Sequence, residues 1–203
     1  MKKLMLLSFL VLFIPALLYG QDKVEVPVWN VGDKWSLSEE VNILVANPNE
    51  SGYVVKYITA RGETVLIYEK SSLNRLFVMD KEKRIPYEGR NKRLFNFPLE
   101  IGKSWTDKFK IKATTVGAQE LTAVETFTPL AWEDIEIKVG KFKAVKIEYK
   151  QEMVGQTAGP PKVGKAWFWY SPDVKYMLKC RYERTDYWDA IYDWEITSFK
   201  LTK

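Results

Sequence analysis

Two carboxylates stand in the apolar phase of alternating segments. Asp107 falls in step with Trp105, Phe109 and Ile111, and Glu125 with Leu121, Ala123 and Phe127. An inward carboxylate must be paired, hydrogen-bonded or open to a cavity, because a bare buried charge is too costly. Three readings stay open: basic partners satisfy them, they line a pocket, or they form an acid/base pair of the glycoside-hydrolysing kind. The rest of the chemical inventory is narrow. There is no His, which removes Ser-His-Asp and Cys-His catalysis and the usual base near neutral pH. Cys180 is the only cysteine, so there is neither an internal disulfide nor a thiolate metal cluster. Its phase makes it a small core residue. No Gly-rich phosphate cradle occurs. The sequence therefore assigns no catalytic residue, metal or cofactor, and the expectation is a protein that is not an enzyme.

What the chain has in surplus is aromatic: eight Trp, eleven Tyr and ten Phe. Trp167-Phe168-Trp169-Tyr170 carries rings on both faces of one segment, which implies cover on both sides. Such rings serve as core and cross-strand pairs, as the lining of an apolar cavity, or as a flat platform for a sugar. The ligand-binding candidates are Trp105, Asp107, Glu125, Phe168, Tyr170, Tyr192 and Trp194.

The elements that must position these residues are strands. Residues 1–20 read as a secretory signal peptide, with Lys2 and Lys3 ahead of the apolar run Leu4 to Ile14. The run is shorter than the roughly 20 residues that span a bilayer, and no Cys follows it to carry a lipid. Export to a periplasm or beyond is expected, with no transmembrane anchor. Residues 21–203 suit one domain, which at that size buries about 70% of its extended-chain surface.

Val174, Tyr176, Leu178, Cys180 and Tyr182 share one face of the clearest strand. Lys175, Lys179, Arg181 and Glu183 share the other, and Met177 is the one apolar residue out of phase. Similar alternation runs through Trp105 to Lys112, Leu121 to Phe127 and Ile135 to Val139. The apolar phase slips by one residue inside 142–149 and again inside 191–201, which predicts β-bulges and a strongly curved sheet. Arg61-Gly62 marks a hairpin, Gly155 to Gly164 a loop, and Ser171-Pro172-Asp173 a tight turn. Residues 81–93 carry six basic side chains, and with Pro86 and Gly89 they read as a loop or wide hairpin tip, either solvated or facing an acidic partner. A Gly-turn followed by Trp echoes at 31–35, 101–105 and 163–167 without a fixed period. The net charge of +5 is mild and falls by two without the leader. Its lysines alternate with apolar residues, so nucleic-acid binding is not expected.

Gly140-Lys141-Phe142 with Ile147, then Trp169-Tyr170-Ser171-Pro172 and Val174-Lys175, resembles a pattern in uncharacterised exported bacterial domains. Gly32-Asp33-Lys34-Trp35 and Pro98 to Trp105 also look similar. The resemblance implies a curved antiparallel sheet of the lipoprotein-carrier or half-barrel kind. Those domains often carry a Gly near the place of Lys175, and Pro-Ala where this chain has Lys138-Val139, which puts the turn geometry in question. The resemblance brings no catalytic residues with it.

The expected fold is therefore a single all-β domain of roughly ten to twelve antiparallel strands, curved into a barrel or half-barrel. The expected function is a binding protein that holds an apolar or amphipathic, lipid-like ligand, or an envelope component, on a concave aromatic face. The alternatives are a carbohydrate- or protein-binding module using Tyr187 to Trp194, and a carboxylate-dependent hydrolase using Asp107 and Glu125.

Overall fold

Wherever apolar and polar residues alternate in this chain, a strand forms, and neighbouring strands pair antiparallel. The computed structural model describes residues 23–38, 40–47, 52–111, 121–154, 163–183 and 193–203. The expected signal peptide, most of the loop at 155–164, and Tyr187, Trp188 and Tyr192 lie outside the described residues. The strands are β1 (Lys23–Val24), β2 (Lys34–Leu37), β3 (Asn42–Val45), β4 (Tyr53–Thr59), β5 (Gly62–Tyr68), β6 (Arg75–Asp80) and β7 (Lys83–Pro86), then β8 (Leu99–Glu100), β9 (Trp105–Ile111), β10 (Leu121–Ile137), β11 (Gly140–Val154), β12 (Val163–Ser171), β13 (Tyr176–Glu183) and β14 (Trp194–Lys200).

β1 and β8 form a two-stranded ribbon. The other twelve form one sheet in the order β7-β6-β5-β4-β3-β2-β14-β13-β12-β11-β10-β9. The sheet is two meanders joined where β2 pairs with β14. It does not close, and its edges β7 and β9 remain unpaired with each other. Yet Val78, Ile85 and Pro86 from one edge and Lys108, Phe109 and Lys110 from the other line a single cleft of about 930 Å³. The sheet has curled until its edges face across a slot, which makes it an open barrel.

Bulges supply the curvature. The phase slip expected at 191–201 is a register shift between Ile196 and Ser198. The slip at 142–149 has a different cause. β11 pairs without interruption there, and Ala144 and Val145 are both buried, on opposite faces. The bulge lies across the ladder in β10, between Pro129 and Ala131. Two further shifts, between Ile67 and Tyr68 on β5 and between Trp169 and Tyr170 on β12, have no counterpart in the expectation. The stretch 81–93 is also not all loop. Lys83–Pro86 is the edge strand β7, all four of its residues exposed, and its Lys, Arg and Pro discourage pairing with a foreign strand.

The inner face is packed by two segments that lie against it. Trp29 touches the rings of Trp35, Tyr53, Tyr68 and Tyr176, with centroids 5.5–6.2 Å apart. Phe95 and Phe97 meet Tyr170 edge-on. The indoles of Trp29 and Trp35 donate to the carbonyls of Lys175 and Val174 at 3.0 and 2.9 Å, which fastens β2 to the β12–β13 turn. Lys175 sits at φ 57°, in the left-handed region that Gly favours. The Lys175 ammonium donates to Val28 O at 2.9 Å.

Asp33, fully buried, accepts from the Asn30 N–H at 2.9 Å, the Thr202 N–H at 2.7 Å and the Thr202 hydroxyl at 2.9 Å. It ties the first turn to the end of the chain. On the outer face Trp169 is 7% exposed. Lys146 and Lys179 lie over its ring at 5.3 and 4.4 Å, and its indole donates to Glu133 at 2.7 Å. The expected second cover on this strand is thus a layer of charged side chains.

Candidate functional site

The packing of the inner face leaves a cavity of about 230 Å³ between β2, β3, β4, β6, β12, β13, β14 and the segment at 90–94. Leu37, Ile43, Leu94, Phe168, Met177 and Trp194 make its apolar wall. Tyr57, Arg75, Arg90, Asn91, Tyr176 and Tyr182 supply its polar atoms. The lining holds two guanidinium groups and no carboxylate.

Bulges place two of these residues. On β6, Val78 pairs with Leu66 and Phe77 with Ile67, but Arg75 pairs with Tyr68, so Leu76 is the extra residue. Were β6 regular through Leu76, strict alternation would put Arg75 on the face opposite Val78. On β13, Lys179 pairs with Trp169 and Met177 with Tyr170, so Leu178 is the extra residue. That turns Met177 onto the inner face beside Tyr170, where it is 1% exposed. Bulges that re-aim side chains recur next to binding sites.

Arg75 is held by tyrosines. Its Nε donates to the Tyr68 hydroxyl at 2.9 Å, and its Nη1 donates to the Tyr87 hydroxyl and to Arg90 O, both at 3.1 Å. The rings of Tyr87, Tyr68 and Tyr57 lie 5.4, 5.9 and 6.0 Å from the guanidinium carbon. Among the described residues, no carboxylate forms an ion pair with Arg75. Burial works against its charge, and the phenol oxygens of Tyr68, Tyr57, Tyr87 and Tyr176 more than offset this, so it stays a cation. Burial also raises the Tyr68 and Tyr176 hydroxyls well above the ordinary phenol range, so both keep their protons.

The hydroxyl protons can then be followed. Tyr68 O accepts from Arg75 and has a second lone pair, so the 2.6 Å contact with Tyr57 fits either direction; donation from Tyr68 to Tyr57 is the one that gives the buried Tyr68 proton an acceptor. Tyr57 in turn donates to Tyr176 O at 3.3 Å. The proton of Tyr176, at the cavity wall, has no acceptor among the described residues.

The acidic pair lies beside this cavity. Asp107 and Glu125 are directly opposed across β9 and β10, which puts their Cβ atoms about 4.5–5.5 Å apart. Glu125 is fully buried and accepts from the Asn91 N–H and the Tyr149 hydroxyl, both at 2.8 Å. Burial raises its pKa. The Asn91 and Tyr149 hydrogen bonds and the charge of Arg90 oppose the rise, and Asp107 adds to it. Tyr149 also lies 3.0 Å from Gln151 Oε1, while Gln151 Nε2 lacks a partner. One phenol proton cannot serve two acceptors. Turning the Gln151 amide lets it donate to Tyr149, which then donates to Glu125. Glu125 is a satisfied interior acceptor whose electrostatic partner is Arg90.

Of the residues expected at a site, Phe168 and Trp194 line the cavity. Trp105 stacks on Phe127 at 5.5 Å and donates to Arg93 O at 2.8 Å, inside the packed core. Tyr170 is fully buried against Phe95 and Phe97. Asp107 and Glu125 are brought together, outside the cavity lining, with Glu125 in contact with Asn91 of that lining. Tyr192 falls outside the described residues. Cys180 is a core thiol, its pKa pushed up to about 12 by burial. The sequence reading missed Arg75, Tyr57, Tyr176 and Arg90. Tyr57 and Tyr176 sit in β4 and β13, Arg75 opens β6, and Arg90 belongs to the basic stretch at 81–93.

No family model and no curated protein matches the sequence. Among solved structures, the chain is similar to the hypothetical lipoprotein YmcC from Escherichia coli, with 11% identity, a TM-score of 0.42, and 78% of this chain and 81% of that one covered. It is similar to a candidate lipoprotein from Parabacteroides distasonis, with 13% identity, a TM-score of 0.46, and coverage of 89% and 100%. It is also similar to a candidate exported protein with a YmcC-like fold from Bacteroides fragilis, with 12% identity, a TM-score of 0.44, and coverage of 87% and 99%.

Proposed function

We propose that this chain is an exported, non-enzymatic binding protein. It holds a small apolar or amphipathic, lipid-like molecule inside the open barrel. Export rests on the leader pattern at 1–20. The observation that carries the binding role is the cavity wall: six apolar side chains from five strands and the 90–94 segment converge on one space while the inner face around it is closely packed. A space of about 230 Å³ falls a little under the ~300–1,000 Å³ of sites for drug-sized ligands. The occupant is therefore a short molecule, or one short segment of a longer one. Trp194 stands half-buried in this wall, which supports a cavity lining over a sugar-stacking platform.

The test is native mass spectrometry of the mature protein purified without organic solvent, followed by extraction. A low-mass apolar species should accompany the wild type and be lost from Leu94→Trp, which fills the space. A wild type that carries no adduct and takes up no apolar probe would remove the proposal.

A further inference from the structure

We infer that the occupant of this cavity is a carboxylate-bearing amphiphile, a short-chain fatty acid or its like, whose head lies against the Arg75 guanidinium and the Tyr176 hydroxyl. The inference rests on reading the cavity as a ligand site, and adds to it the charge and head group of the ligand.

A guanidinium partly withdrawn from bulk water is best met by an anion or a full set of acceptors, and Arg75 is half-buried. Arg75 has phenol and carbonyl oxygens on Nε and Nη1 only, and Nη2 donates to none of the described residues. Phenol dipoles soften the charge without cancelling it. The second cation of the lining, Arg90, interacts with the Glu125 carboxylate, so the excess positive charge belongs to Arg75. The tyrosine relay ends on the O–H of Tyr176, a donor at the same wall. Two donors with no acceptor among the described residues, one of them charged, next to a wall of Leu37, Ile43, Met177 and Trp194 describe an oxyanion joined to a hydrocarbon.

The size and charge narrow the class further. At ~30 Å³ per water-sized unit the space takes roughly eight heavy atoms, somewhat under the ten of octanoate, which sets the upper end of the chain length. One uncompensated cation matches a singly charged carboxylate. A phosphate monoester carries about −1.5 to −2 at neutral pH and would bring charge that nothing here answers.

Calorimetric titration of the ligand-stripped mature protein with octanoate and with 1-octanol tests this. The wild type should bind octanoate at least about tenfold more tightly, the scale of one charge-assisted hydrogen bond. Arg75→Gln should lose that preference while binding octanol as before. Tyr176→Phe, which keeps the guanidinium, should lower the preference several-fold, and it decides the matter if Arg75→Gln does not fold. Equal affinity of the wild type for the two ligands, or an undiminished preference in the variants, overturns the carboxylate assignment and leaves the ligand site standing. Binding of neither ligand removes both.

Discussion

Arg75 and Tyr68 face each other across β6 and β5, joined by a 2.9 Å hydrogen bond from Nε to the phenol oxygen. The bulge at Leu76 is what makes them face. A cation turned inward this way, with no acid among the described residues to meet it, is a cost carried by the fold. Arg75→Met replaces it with an apolar side chain of similar length and should leave the ligand-free protein as stable as the wild type or up to ~1 kcal/mol more so. Thermal unfolding followed by circular dichroism checks this. A large loss of stability would mean that Arg75 is a structural linchpin.

Glu125 makes a prediction about pH. Its folded-state pKa is raised, mainly by burial. The native state therefore holds this proton more tightly than the unfolded chain does. The stabilisation is complete below the unfolded value and is lost as pH rises through the folded one. Glu125→Gln removes that titration. In urea unfolding from pH 4 upward, the wild type should lose stability relative to the variant as pH rises toward neutrality. A constant difference between the two would contradict the assignment.

The Asp33 clamp should be expensive to break. Asp33→Ala leaves the Thr202 and Asn30 donors without their acceptor at a fully buried position, at a cost of about 3 kcal/mol or more. Hydrogen exchange should show the Thr202 amide losing protection before the rest of the sheet opens.

Lys175 offers a test of backbone geometry. At φ 57°, Lys175→Gly relieves the left-handed conformation but gives up the bond to Val28 O, so the net change should stay within about 1 kcal/mol. Lys175→Val adds β-branching at the same dihedral and should cost at least ~1–2 kcal/mol. Urea midpoints of the two variants measure the contrast.

The strands were legible because alternation is a local property. Val174, Tyr176, Leu178 and Cys180 read as buried, and they are. The bulge in β14 was legible because apolar residues flank it on both sides and show the change of phase. The cavity was not legible, and bulges are again the reason. Alternation from Val78 back through β6 puts Leu76 inside and Arg75 outside, and alternation through β13 puts Met177 outside. One inserted residue in each strand reverses both readings. Nothing local marks Leu76 or Leu178 as the extra residue, since each is itself apolar. The Asp107–Glu125 pairing is half legible: alternation turns both inward, but that Arg90 lines the cavity and acts on Glu125 depends on a segment with no alternation to follow. In 81–93, charge hid the edge strand, because the wet edge of a sheet and a solvated loop have the same composition.

The central claim, that the interior holds a short carboxylate amphiphile, is tested most directly by a crystal structure of the mature protein grown with octanoate. The hydrocarbon chain should lie between Leu94, Phe168 and Trp194, with the carboxylate about 3 Å from Arg75 Nη2 and the Tyr176 hydroxyl. Octanoate bound only on the outer surface, or an interior that excludes it, would contradict the account.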